Sequence, residues 1–517
     1  MLARGHFLLF GVSVAIMSCT EPAAPSRDGE SRFDLVGESA DEVIINDEEW
    51  IDRTMEETPV EIPRDDAERA DVFDVQLLAL EPSIRVGVVY AELNASTLRL
   101  GGRDNNDPFE VRSGSATGTV LATGLAGEVV ATRVATGAAA VIRLTLPNGM
   151  TINSSGAVVL ISNSGFVRLR RTTTDPSIYR GTAEVRFNST RSVLVGVNEL
   201  PMEQYLYGVV PRELGPIAFP EFEAQKTQAV AARTFARRRI QFCGASRCGH
   251  GYHVVPTTSD QVYGGFTAEH ALSTLAVDET RGIVGTYNGA LIEGLYSSTS
   301  GGWTANSEDV FLNALPYLRG VPDHERGKAL DHVPTLAVFR NHANPTNLRN
   351  HAIGDFEADW SIYHRWYVHW TVLEMREVVG RAQLPSRVTF IDPGEVYAID
   401  VVSRSSSGRV LELQIVTEKR GTLIARKDAV RSLLRYVTYS STGAMVLNSL
   451  RSTLVYVEPI IDPKTKALVG WEAWGGGWGH GTGMSQTGAV GMAQKGHTFR
   501  DILGHYYHGV VLEQRWE

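Results

Sequence analysis

The tightest constraint in this 517-residue chain is the run Gly475–Ala489, GGGWGHGTGMSQTGA, in which six of the first nine residues are glycine. Backbone at that glycine density can reach left-handed or crowded conformations closed to other residues, at an entropic cost to folding. Such a run is either a tight structural turn or a place where main chain approaches a ligand. Trp478 and His480 lie inside it, offering a sugar a stacking face and a proton-sharing group. MSQTGAVGMAQKG follows directly and reads as a helix of small residues, which favours a packed, backbone-defined site. No Gly-Lys-Ser/Thr follows at the spacing a phosphate loop needs.

The amino terminus, MLARGHFLLFGVSVAIMSC, carries one arginine and then an apolar run from Phe7 to Met17. This pattern reads as a secretory signal over residues 1–19, too short for a stable span. Ile16-Met17-Ser18-Cys19 is an imperfect lipobox, and Cys19 is the expected lipid-attachment residue. The expectation is an extracytoplasmic, cell-envelope lipoprotein that meets the membrane only through its lipid. Residues 20–80 are Ser/Pro-containing and then strongly acidic, and read as a flexible leader. They supply much of the net charge of −10. That balance, without a basic patch interleaved with aromatics, argues against a nucleic-acid partner.

The chain has three cysteines. Setting Cys19 aside leaves Cys243 and Cys248, a close pair that in an oxidising compartment forms a disulfide. The alternative enlists His250 and His253, giving C-x4-C-x-H-x2-H and enough donors for a structural zinc. The disulfide is the preferred reading, and no cofactor is required.

From Ile84 to about Val197 short apolar alternations are broken by Gly, Asn and Ser: SIRVGVVYA, GEVVATRVA, AAVIRLTL, TINSSGAVVLI, FVRLRRT, AEVRFN and SVLVGV. These predict strands joined by turns. A helix is predicted over Glu221–Ile240, opened by Phe219-Pro220. On it Lys226 and Arg233 share a side, and Ala229, Ala232 and Ala236 form a close-packing face. Further strands are predicted in GIVGTYNGALIEGLYSS and between Val396 and Val437. The fold class is α+β: a β-rich domain over 81–192, then a mixed α+β domain over 193–517 with an insertion around 323–375.

Several blocks together resemble one family. They are Val197–Ala236, Thr257–Gly265 (TTSDQVYGG), Tyr296–Phe311 (YSSTSGGWTANSEDVF) running on to PYLRGV, GRVLELQI with LRSTLV, and Gly475–Val510. In order and content, over roughly residues 175–512, they resemble the SpoIID/LytB family of stage II sporulation protein D and amidase enhancers. The resemblance implies a lytic transglycosylase acting on peptidoglycan glycan strands, leaving anhydro-muramic ends. The alternative it carries is a non-catalytic enhancer that binds peptidoglycan and stimulates a cell-wall amidase.

The lytic reaction needs a carboxylic acid at the glycosidic oxygen, with its pKa raised by burial. One acid suffices where the sugar's own C6 hydroxyl is the nucleophile, unlike the two-carboxylate hydrolases. Glu213, in YLYGVVPRELG, falls on the family's catalytic glutamate. Leu214 follows it where the family usually has methionine, and GPIAFPEF is two to three residues longer. Lys226 and Arg233 match positions expected to orient glycan, or else form an internal ion pair. Gln261 and Tyr263 are candidates for holding N-acetyl groups or a ring, Tyr263 being equally readable as core. Ser300, Gly301 and Gly302 resemble a second site-forming turn. His480, Ser485, Trp303 and Trp478 complete the candidate substrate-binding set. No His-Glu-x-x-His helix or G-x-S-x-G elbow offers another chemistry.

Overall fold

The computed structural model describes residues 42–45, 80–136, 139–324, 356–357, 360–382 and 390–517. The signal segment, Cys19, most of the acidic leader and much of the 323–375 stretch lie outside the described residues. One piece of the leader is described: Glu42–Ile45 forms a strand that pairs in parallel with Gly421–Arg426.

The alternating segments build two six-stranded antiparallel sheets. One runs Tyr179–Arg180, Phe166–Arg170, Thr97–Gly102, Glu128–Thr136, Ala139–Thr145, Thr151–Ser154. The other runs Ser83–Val89, Val193–Pro201, Thr182–Asn188, Val158–Ser162, Phe109–Ser113, Val120–Leu125. Alternation places Leu98, Leu100, Val167 and Leu169 of the first sheet and Ile84, Val86, Val185 and Leu160 of the second in one core. The β-rich region followed by mixed α+β structure is the architecture the sequence predicts.

Strand Val193–Pro201 passes without a loop into helix α1 (Met202–Glu213), and α2 (Phe222–Gln241) follows. The predicted helix over 221–240 is therefore displaced by one residue. Tyr205, Leu206, Val209 and Val210 of α1 and Ala229, Ala232 and Ala236 of α2 join the sheets' core. The small alanine face lets α2 approach closely, and α3 (Ala271–Glu279) packs against both helices.

A second, separate core spans Trp366 to Ala473 and includes Trp370, Leu413, Ile415, Leu423 and Trp471. Its three-stranded sheet pairs Leu468–Gly475 with Trp366–Thr371 and Val455–Ile461, so this unit delivers the chain into the glycine run. Beyond that run, α4 (Gln486–Gln494) and α5 (Phe499–Tyr506) return to pack on α2. Among the described residues no helix is long and apolar enough to cross a membrane.

Candidate functional site

Glu213 is the last residue of α1. The loop beyond it is pinned by Gln225 of α2, whose Nε2 donates to the carbonyls of Leu214 and Phe219, both at 3.0 Å. Gln225 is fully buried and is itself held by Ser273 Oγ at 2.8 Å. The helix end is thus fixed from behind, and the Glu213 side chain faces the segments that follow.

Three of those segments reach it. The main-chain N–H of Val262 donates to Glu213 Oε1 at 2.6 Å. The Tyr296 hydroxyl and the Gln486 amide stand close enough to the same carboxyl to favour its ionised form. Gln486 Nε2 also donates to the Glu213 carbonyl and to Gln228 Oε1, each at 3.1 Å. Burial is the largest influence on the carboxyl and raises its pKa to about 7; the Val262, Tyr296 and Gln486 donors and the Arg212 charge oppose it. Near neutral pH, then, Glu213 divides between the acid, which can donate a proton or hydrogen bond, and the carboxylate, which can accept one.

The glycine run is folded against the Tyr296–Gly302 turn. Tyr296 and Ser297 pair in parallel with Met484 and Ser485, and Thr299 bridges Trp478. Gly301 has φ +78, and a Cβ there would meet Gly476 C at 2.7 Å and Gly477 N at 2.8 Å. Two turns back to back at that spacing leave no room for side chains, which accounts for glycine on both strands of the contact.

The other predicted residues are distributed around this centre. Gln261 is fully buried behind Tyr296, bonding its hydroxyl (3.0 Å), the Tyr205 hydroxyl (3.1 Å) and the Ala232 carbonyl (3.3 Å). Tyr263 is buried, donates to Asn198 Oδ1 at 2.9 Å and lies 5.0 Å from the Tyr205 ring. Arg233 is fully buried in an ion pair with Glu203 at 2.7 Å, and also bonds the Val277 and Ile283 carbonyls. Lys226 sits near the surface between Glu223 (3.1 Å) and Glu279 (2.6 Å). His480 Nδ1 accepts the Thr482 N–H at 3.0 Å; burial lowers its pKa to about 4, so the ring is neutral. Ser300 Oγ donates to Asp323 at 2.6 Å, and Ser485 Oγ caps α4 by accepting the Gly488 N–H at 3.1 Å.

Cys243 and Cys248 are joined in a disulfide. His250 bonds Asn188, and His253 Nδ1 accepts the Arg85 N–H at 3.1 Å. Among the described residues no group of three or more His, Cys, Asp or Glu side chains is placed to hold a metal.

Sequence reasoning passed over Tyr296, Val262 and Gln486, although each adjoins or lies within a block it singled out. It also passed over Glu357, which the fold buries completely between the two glycine turns.

Residues 190–287, which carry Glu213, its Val262 donor and α2, match the family model described as Stage II sporulation protein (SpoIID). Over this segment the chain is similar to the SpoIID family. Residues 305–483 match a second model, described as Domain of unknown function (DUF8618), which takes in the second core and the glycine run's first half. Stage II sporulation protein D of Bacillus amyloliquefaciens is 29% identical over 329 residues, covering 62% of this chain and 76% of that protein. The same protein of Bacillus subtilis (strain 168) is 28% identical over 335 residues, 63% of this chain and 78% of the relative. The amidase enhancer of Bacillus subtilis (strain 168) is 28% identical over 312 residues; these are 59% of this chain but only 40% of the enhancer's length.

Proposed function

We propose that this SpoIID-like protein acts at the bacterial cell wall as an amidase enhancer, binding peptidoglycan glycan strands and stimulating a partner N-acetylmuramoyl-L-alanine amidase. The observation that carries glycan binding is the convergence of four sequence blocks on the Glu213 carboxyl, which at neutral pH is partly protonated. A protonated carboxyl in such a place donates a hydrogen bond to a glycan oxygen. Similarity to a protein named amidase enhancer supports the downstream role. The setting proposed is extracytoplasmic, with the acylated Cys19 as anchor and the acidic leader as tether.

A second reading, lytic cleavage, is favoured by the raised pKa itself. In that reaction Glu213 gives its proton to the departing glycosidic oxygen as the bond to the anomeric carbon breaks. The resulting carboxylate takes the proton of the muramic C6 hydroxyl as that oxygen closes on the anomeric carbon. Atoms balance without water, and the acid is regenerated.

The test incubates peptide-free glycan strands with the full chain and with Glu213→Gln, reads products by mass spectrometry, and assays amidase stimulation in parallel. Stimulation without anhydro-muramic products establishes the enhancer. Anhydro ends that fall by about 100-fold or more in Glu213→Gln, the usual scale for a general acid, establish cleavage instead. Failure to bind glycan sinks both.

A further inference from the structure

The DUF8618-matching segment contributes one residue that reaches the Glu213 neighbourhood through a chain of bonds. Glu357 is fully buried and takes five donors. Its Oε1 accepts the Gly301 N–H at 2.7 Å and lies 3.0 Å from His364 Nδ1. Its Oε2 accepts the Thr487 hydroxyl at 2.6 Å, the Ser485 hydroxyl at 3.0 Å and the Ser300 N–H at 3.3 Å. The same turn is held from its carbonyl side by Arg365, on Gly301 O, and Arg409, on Ser300 O, each at 2.8 Å.

Ser485 and Thr487 flank Gln486, whose side chain bonds the Glu213 carbonyl and reaches its carboxyl. A single oxygen of Glu357 therefore holds both neighbours of the residue that touches the acid. We propose that Glu357 is a positioning residue for Glu213, acting through Ser485-Gln486-Thr487 to fix the direction of the Gln486 amide.

The inference rests on the reading of Glu213 as the working acid. The charged and titratable groups facing Glu213 are Arg212 and Tyr205 from α1 and Tyr296 from the opposite turn. Around Glu357 stand His364, Arg409 and Tyr506. Removing a negative charge near Glu213 favours its ionised form, whereas removing a donor disfavours it. The two effects have opposite signs, so variants can tell positioning from mere electrostatics.

The experiment follows the Glu213 carboxyl carbon by NMR against pH in the full chain labelled at glutamate, with Glu213→Gln identifying the resonance. Thr487→Val keeps the Glu357 charge and shape but breaks the shortest bond in the chain. Its expected effect is a rise in the Glu213 midpoint of roughly half a pH unit or more, the scale of a lost hydrogen bond to a carboxylate. Gln486→Ala should move the midpoint the same way, and the double variant should add little, because both act through one contact. Glu357→Gln is the second probe. The proposal is overturned if Thr487→Val leaves the midpoint in place while Gln486→Ala moves it, or if Glu357→Gln only lowers it. A wild-type midpoint in the ordinary carboxylate range would instead overturn the Glu213 reading, and the proposal with it.

Discussion

The neighbourhoods of Glu213 and Glu357 are joined through three consecutive residues, yet they treat a carboxyl group in opposite ways. Around Glu213 burial outweighs the Val262 N–H, two side-chain donors and the Arg212 charge, and the pKa rises to about 7. Around Glu357 burial acts in the same direction but is overcome by His364, the Thr487 hydroxyl and the Gly301 N–H, and the pKa is held below the ordinary value. Depth alone does not decide the charge of a buried acid; the number and kind of donors does. The satisfied carboxylate can serve as an anchor. The under-satisfied one keeps a proton to share.

The largest expected effect comes from emptying the anchor. Glu357→Ala leaves two main-chain N–H groups, two hydroxyls and an imidazole without their acceptor. Breaking a buried pair by removing one partner costs about 3–5 kcal/mol. The shift of the urea unfolding midpoint measures it. A cost below 1 kcal/mol would mean that the five donors find replacements, and the contrast between the two acids would collapse.

The acid at Glu213 should behave in the opposite sense, and only as the pH rises through the range between its unfolded and folded pKa values. Its folded-state pKa lies above that of an unfolded glutamate, so its contribution to stability is complete below the unfolded value. It is lost as pH rises from about 4.5 to about 7, where the unfolded chain ionises and the folded one does not. At about 1.36 kcal/mol per pKa unit, the upper bound on that loss is roughly 3 kcal/mol. Glu213→Gln removes the penalty, so its stability relative to wild type should grow between pH 5 and pH 8. Unfolding curves at the two pH values check this; a difference that does not change with pH would return Glu213 to an ordinary surface carboxylate.

Much of this arrangement was legible before the structure. Strands follow from alternation, and α2 from its alanine spacing and entering proline. Glu213 is legible because its block, GVVPRELG, is contiguous and matches a family pattern. Glu357 is not, because what makes it special is assembled from Gly301, His364, Ser485 and Thr487, residues scattered over nearly 190 positions. Nothing in FEADW is periodic, and it falls in the stretch around 323–375 that the sequence marks only as an insertion. Within the blocks themselves, the resemblance put forward Ser300, and Ser485 joined the candidate set. The fold turns those hydroxyls toward Asp323 and Glu357 and gives the neighbours Tyr296 and Gln486 the contact with the acid.

The contrast between an enclosed and an open ionic setting extends to the cations of α2, where helical spacing places Lys226 and Arg233 on one side. Spacing says that they share a face but not what they meet. Arg233 meets a buried carboxylate and two carbonyls, while Lys226 spans two acids that remain partly in solvent. Exposed pairs of that kind contribute about 0–1 kcal/mol and weaken with salt. Lys226→Ala should therefore change stability by less than about 1 kcal/mol, with the difference shrinking further at high ionic strength. If Lys226 serves only those two acids, glycan binding at low salt will match wild type. If binding weakens while stability holds, the Lys226 ammonium is shared with an anionic group of the glycan, and the open ionic setting belongs to the functional surface together with the enclosed Glu213.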